Sequence, residues 1–345
     1  MRKHYYIIPI LLSSIGYISA SDSTINVIAV GDIMLGSNYP SKDYLPNSNI
    51  ILNLSSILRN ADVTYGNLEG SFLTKNATTS KSGSNSYAFK MPDYYAPYLK
   101  NAGFDVVGIA NNHVGDFGDA GRINTQKILT DNGISFAGLT NCPYATFVKN
   151  GVKYGFASFA PNNGTISIND TTNAKKIVAY LSNVSDIVIV AFHGGAEGSK
   201  YTHITKKNEI FLGENRGDPY HFSRAVINAG ADLVFGSGPH VTRAVDLYKD
   251  RFICYSLGNF ATSGKFSLMG MKGISPIVNV SINKKGEFQK AHVTSTKQID
   301  KNGPIVDVDN LAFNQIMSLT KTDISPNILI FTKNNDIVKK IRIKK

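Results

Sequence analysis

Five stretches of this 345-residue chain end an apolar run in residues able to do chemistry. "TINVIAVGD" (24–32) ends in Asp32, "DVTYGNLE" (62–69) in Asn67 and Glu69, and "DVVGIANNH" (105–113) in Asn111, Asn112 and His113. "DIVIVAFHGG" (186–195) delivers His193, and "DLVFGSGPH" (232–240) delivers Ser237 and His240. Carboxylate, amide oxygen and imidazole are the donors a hard or borderline divalent cation takes, and no thiolate stands with them to favour a soft one. Two such cations about 4 Å apart would hold a phosphoryl group, activate a water and stabilise the leaving oxygen. A single cation, or none, with the same residues hydrogen-bonding an anionic substrate is the alternative. Each residue alone also has a structural reading. Asp32 suits a cap or turn, Asn67 and Asn111 suit bonds to nearby backbone, and His193 or His240 suits a satisfied core histidine. What favours chemistry is the coincidence of five, several flanked by glycines that let a substrate approach the backbone.

The runs themselves are rich in Val and Ile and mostly apolar without alternation, as strands covered on both faces are. Helical patterns lie between them: "NIILNLSSILRNA" (49–61), "MPDYYAPYLKNAG" (91–103), "TTNAKKIVAYLSNV" (171–184) and "DPYHFSRAVINAG" (218–230). The near-identical joints "NAGFDVV" and "NAGADLV" repeat a helix-to-strand passage, which predicts α/β layers with mainly parallel pairing over the first 240 residues. Parallel strands place their C-terminal ends on one side, where ligands bind in such folds, so the five ends are expected to meet. Three hairpins follow a different rule: 145–160 turning at Asn150-Gly151, 244–256 at Lys249-Asp250 and 276–296 at Lys285-Gly286. Hairpins inserted into an α/β chain predict two mixed sheets packed face to face with helices outside.

At 42% hydrophobic residues the chain has material for a full core, and no linker divides it, so residues 21–345 read as one domain. The start, "MRKHYYIIPILLSSIGYISA", sets Arg2 and Lys3 before an apolar stretch from Ile7 to Ile18 and the small pair Ser19-Ala20. That is the layout of a signal peptide over residues 1–20, cleaved after Ala20. Its apolar part is shorter than the roughly 20 residues of a bilayer span, and retention as a membrane anchor is the alternative. The mature chain is therefore expected in the periplasm or at the cell surface. Loss of Arg2 and Lys3 takes the formal charge from +11 to +9, which suits a lysine-rich solvated surface or an anionic partner. The basic end "VKKIRIKK" (338–345) fits a charged edge strand or a polymer-binding tail. Cys142 and Cys254 are compatible with a disulfide in an exported protein, and Cys254 equally with a buried free thiol. Nucleic acid is not an expected partner, since helix-turn-helix and zinc-finger spacings and an aromatic-basic platform are all missing.

Taken together, "VGDIMLGS", "GNLEGSF", "GIANNHVGDFG", "FHGGAEG" and "GADLVFGSGPHVTRAVDLYKDRFICYSLGNF" resemble the motifs of the bacterial capsule-synthesis family of CapA type, linked to poly-γ-glutamate. The likeness covers residues 25 to 290. That family is similar to the calcineurin-like metallophosphoesterases. The resemblance therefore implies a metallophosphoesterase-like four-layer sandwich, one or more divalent metal ions, and work on an anionic capsule polymer or with its membrane synthase. Matched position by position, Asp32, Glu69, Asn112, His193 and His240 are the implied metal ligands, with Glu69 in the place of a bridging acid. His113 would protonate the leaving group and Asp32 share the catalytic role. Asn67, Asn111, Glu197 and Ser237 complete the set as candidate substrate-binding residues, Asn111 also suiting a role in the turn. Met34 stands where a His would be, and Ser237 where many members have another. Either the metal count drops, or side chains such as Glu197 or His203 step in. The functions implied are a metal-dependent hydrolase or transferase of phosphoesterase type, a non-catalytic subunit binding polymer or synthase, and a cell-wall amidase.

Overall fold

The computed structural model describes residues 24–79, 81 and 87–340; the segment read as a signal peptide and the last five residues of the basic tail lie outside the described residues. The five apolar runs become the strands β1 (Ile25–Met34), β2 (Val63–Leu68), β3 (Val106–Gly108), β4 (Ile187–His193) and β5 (Leu233–Ser237). They are apolar throughout because successive side chains enter different buried layers. In β1, Val27 and Ala29 face the core between the sheets while Ile28 and Val30 face an outer layer. In β4, Ile187 and Ile189 point to that shared core, and Val188 and Val190 point away from it.

The five strands are divided between two sheets. β1, β2 and β3 are parallel neighbours in the first, extended on one side by Ser135–Ala137 and on the other by the antiparallel pair Ile274–Ile282 and Phe288–Lys297. β4 and β5 are parallel neighbours in the second, between Val152–Phe159 and Arg251–Cys254, with antiparallel Tyr144–Lys149 and Val245–Tyr248 outermost. The expected hairpins are all present, two of them turning through left-handed residues at Asn150-Gly151 and Lys249-Asp250. Tyr65 of β2 crosses the gap between sheets, its ring centroid 5.6 Å from those of Phe156 and Phe235. Leu99, Ala102 and Leu129 seal the outside of the first sheet, and Val178, Leu181, Phe222 and Val226 the outside of the second. The result is two mixed sheets flanked by helices, with the helix Leu311–Asp323 contributing Phe313 and Ile316 to the shared core.

Thr171–Val184 and Pro219–Asn228 are helical as predicted, started by Asp170 and Asp218, whose carboxylates accept from the backbone N–H of Asn173 and His221 at 3.0 Å. The other two predicted helices shrink to Ser55–Leu58 and Ala96–Ala102, each entered through a 3-10 turn, Leu52–Leu54 and Asp93–Tyr95. Gly118–Asp131 forms a helix that the pattern hides, because only Gly121, Thr125 and Leu129 of it are buried. Of the basic end 338–345, only residues 338–340 are described. Asp336–Lys339 is not an edge strand; it lies between Phe288–Lys297 and Leu329–Phe331, with Ile337 fully buried. Cys142 and Cys254 are both free thiols, and Cys254 packs in the core between the sheets.

Candidate metal centre

The strand ends of both sheets converge on one rim. Register does part of this: Asp32 stands opposite Asn67, Asn67 opposite Gly108, and Ser237 opposite His193. Backbone contact does the rest. The Asp32 N–H donates to the carbonyl of Gly258 at 2.8 Å, and a Cβ on the preceding Gly31 would lie 1.9 Å from that same oxygen. Only glycine at position 31 lets the two strands come close enough to place Asp32.

Asp32, Glu69 and His193 are buried and each offers a ligand atom, all within 4.8 Å of one another. Asn67 Nδ2 donates to Asp32 Oδ1 at 2.8 Å and lies 3.2 Å from His193 Nδ1, so one amide braces two members. His240 stands on the other side of Asp32, with Nδ1 3.0 Å from Asp32 Oδ2 and 3.0 Å from Asn259 Oδ1. Glu69 is the hub. Its Oε1 lies 3.5 Å from His240 Nε2, 3.7 Å from His113 Nε2 and 4.0 Å from His193 Nε2. Asn112 and His113 line the cavity of about 740 Å³ that opens above the group, as do Glu197 and His240.

The electrostatics follow from burial. It pushes the Glu69 carboxyl well above the usual carboxylate range, with the nearby charge of Asp32 acting in the same direction. It also holds His193 well below an ordinary imidazole, helped by Arg216 and His240. His113 is likewise lowered by burial, in part offset by its hydrogen bond to Asp116. His240 is the exception: burial opposes its charge, but Glu69, Asp32 and Glu197 outweigh it and push the ring up to about 10.

Whether these residues fit a metal is decided by their unmet bonds. Both oxygens of Glu69, Nε2 of His193 and Oδ1 of Asn112 are buried without a hydrogen-bond partner among the described residues. A buried polar atom left unpaired costs about 1–3 kcal/mol, and several of them at one point are rare in a native core. A divalent cation would satisfy them, and carboxylate, amide oxygen and imidazole are its usual donors. The set fits.

The remaining sequence candidates fall into different places. Asn111 spends both ends of its amide on the scaffold, Nδ2 donating to the Leu68 carbonyl at 2.8 Å and Oδ1 accepting from the His113 N–H at 3.0 Å. Asn111 is fully buried and does not line the cavity. Ser237 is fully buried with an unpartnered Oγ and does not line the cavity. Glu197 does line it, held by Arg216 Nη2 at 3.0 Å. Met34 is buried in the apolar layer outside the first sheet, and His203 sits on the surface against Asp323 Oδ1 at 2.8 Å, so neither supplies a missing donor. Three further participants lie outside the site set expected from the sequence. Asp116 Oδ2 lies 2.8 Å from His113 Nδ1 and also accepts from the Phe89 N–H at 2.8 Å, so it orients that ring. Arg216 is buried between Glu197 and Glu214, 3.0 Å from each. Asn259 holds His240, and its signal was present: it closes the apolar run "RFICYSLGNF" as the other site residues close theirs.

The sequence profile described as "Bacterial capsule synthesis protein PGA_cap" matches residues 26–263, a span that contains the whole cluster. The capsule biosynthesis protein CapA of Bacillus anthracis is 27% identical over 260 residues, 67% of this chain and 58% of that protein. The PGA biosynthesis protein CapA of Bacillus subtilis (strain 168) is 27% identical over 259 residues, 70% of this chain and 64% of that protein. The chain thus spans between 58% and 64% of the length of these two curated relatives. Among solved structures, a 5'-nucleotidase precursor from Thermus thermophilus is 11% identical with a TM-score of 0.44, over 87% of this chain and 59% of that one. With the profile covering well over half of its residues, and the centre lying inside the match, the chain belongs to the bacterial capsule synthesis family.

Proposed function

We propose that this chain is an exported, metal-dependent hydrolase or transferase of phosphoesterase type, acting in the making, export or attachment of an anionic capsule polymer of poly-γ-glutamate type. The observation that carries the chemistry is the group of buried unpaired atoms on Glu69 and His193 beside Asp32, with the unpaired Oδ1 of Asn112 in the lining of the same cavity. A divalent cation held there would polarise the reacting centre and lower the pKa of a bound water. The chain's own residues do the rest. Asn67 and His240 fix the orientation of Asp32 from two sides. His113, with Nδ1 engaged by Asp116, presents Nε2 as the atom that passes a proton to the leaving group. The polymer is inferred from the family and from relatives named for capsule and PGA biosynthesis. The exported location is inferred from the layout of residues 1–20 and from those same names.

The test combines metal analysis of the purified mature protein with assays on phosphodiester and poly-γ-glutamate substrates. Bound divalent metal is expected, and His113→Ala should keep that metal while losing turnover by about a hundredfold or more. Protein that stays metal-free after incubation with manganese, zinc and iron would end this reading. A second reading, a non-catalytic subunit that binds polymer or the membrane synthase, is favoured by one observation: Met34 is buried among apolar side chains where a further ligand would stand. It requires polymer binding that survives Glu69→Gln.

A further inference from the structure

The cavity above the centre holds charge that the centre does not use. Besides His113 and His240, four basic residues line it, Lys81, Arg216, Lys265 and Lys272. Two are neutralised: Lys81 Nζ lies 2.5 Å from Asp116 Oδ1, and Arg216 pairs with Glu197 and Glu214. Lys265 and Lys272 have no carboxylate against them among the described residues. The Lys265 ammonium is placed by aromatic contacts, and Lys272 is fixed at its backbone. Lys265 Nζ lies 5.7 Å from the ring centroid of Tyr44 and 5.8 Å from that of Tyr87, contacts that hold a cation without consuming its N–H donors. Lys272 is tied through its backbone, its carbonyl accepting from Asn259 Nδ2 at 3.0 Å, the same asparagine that holds His240. The same cavity carries an aromatic pair that reaches the centre. Phe266 stacks on Phe89 at 4.7 Å, Phe89 lies 4.2 Å from the ring of His113, and Phe266 lies 5.7 Å from that of His240.

We propose that Lys265 and Lys272 form a second anion subsite. The ligand is then an oligoanion that sets one anionic group at the Asp32, Glu69 and His193 centre and another at Lys265 and Lys272 in the same cavity. This deepens the function proposed above, on which the first of the two subsites rests. Cations in a half-enclosed pocket attract an anion more strongly than cations in bulk water, because less solvent screens them. A ligand with a single anionic group uses the centre alone, whereas repeating carboxylates or phosphates use both places.

Isothermal titration of the full chain with three probes tests this: tetra-γ-glutamate, tripolyphosphate and inorganic phosphate. The tighter of the two oligoanions identifies the source of the charge, carboxylate or phosphate. At low salt, Lys265→Ala/Lys272→Ala should weaken that oligoanion about tenfold or more and flatten its dependence on salt. Phosphate should bind the double variant as it binds the parent. A reference pair, Lys175→Ala/Lys176→Ala on the exposed face of the helix Thr171–Val184, should change nothing. The subsite is overturned if the double variant binds the oligoanions as well as the parent, if the reference pair costs as much, or if neither oligoanion binds the parent more tightly than phosphate. Repeating the titrations with a chelator separates this from the metal reading: loss of metal alone leaves the ratio between parent and double variant intact.

Discussion

His240 and Arg243 are three residues apart after β5, and each anchors a buried charged cluster, yet the two clusters are built in opposite ways. Arg243 is fully buried and its donors are met. Nη1 and Nη2 donate to the two oxygens of Glu209 at 2.9 and 2.8 Å, and Nε donates to the Tyr201 carbonyl at 2.8 Å. Glu209 accepts in turn from the Ala196 N–H at 2.8 Å. Around Glu69 the opposite holds, for three imidazoles approach one carboxylate and none of its oxygens has a hydrogen bond. The first cluster ties the loop after β4 to the segment after β5; the second is left open where those segments meet. Buried charge closed within the chain fixes structure, and buried charge that the chain leaves unpaired asks for a ligand.

The sharpest way to break this contrast is to neutralise one member of each cluster in metal-free protein. Arg243→Met leaves Glu209 buried and alone, and should cost about 3–5 kcal/mol in urea unfolding. Glu69→Gln removes a carboxylate that burial and Asp32 push towards its neutral form but also the main counter-charge of His240, so metal-free stability should change by no more than about 1 kcal/mol in either direction. Equal destabilisation by both would mean that the two clusters do the same structural work.

A smaller effect comes from pH. In metal-free protein His240 is the cation that the centre supplies for itself, raised from 6.5 to about 10 against the opposing effect of burial. An imidazole raised on folding adds stability that is complete below its unfolded value and is lost as pH climbs through the folded one. Parent protein should therefore exceed His240→Asn by about 2 kcal/mol near pH 6.5, a value discounted for the edge of the ring that meets solvent, and the gap should close towards pH 10. Thermal melts across that window with chelator present measure it. A gap that widened with pH would show that a neutral His240 is the form the fold prefers.

The two clusters also differ in how far the sequence exposed them. Asp32, Glu69, Asn112, His193 and His240 were legible because each closes an apolar run, and a run that long has to be a covered strand whose end reaches a sheet edge. The Arg243 and Glu209 pair was not legible, since its members are 34 positions apart and neither sits at the end of a strand. The two-sheet sandwich could be read from the hairpins, but the assignment of β1, β2 and β3 to one sheet and β4 and β5 to the other could not. All five are apolar on both faces, and continuous apolarity carries no label for its sheet. The helix Gly118–Asp131 stayed hidden for the converse reason, a polar surface with too narrow a buried stripe.

Asp116 lies between the two kinds of cluster and gives the finest test. Its carboxylate is engaged within the chain, Oδ2 by the Phe89 N–H at 2.8 Å and Oδ1 by the ion pair with Lys81 at 2.5 Å, yet Oδ2 also holds Nδ1 of a ring that faces the centre. Asp116→Asn keeps the shape but replaces an acceptor with a group that can donate, so His113 loses the bond that leaves Nε2 facing the reacting atoms. Turnover should fall about 10- to 100-fold with metal content unchanged. Because Asp116 raises the His113 imidazole, the limb of the pH profile that belongs to that ring should also move to lower pH. A structural residue would not produce that movement. If metal were lost along with turnover, Asp116 would belong with Arg243 and Glu209 as part of the frame, and the open cluster would end at His113.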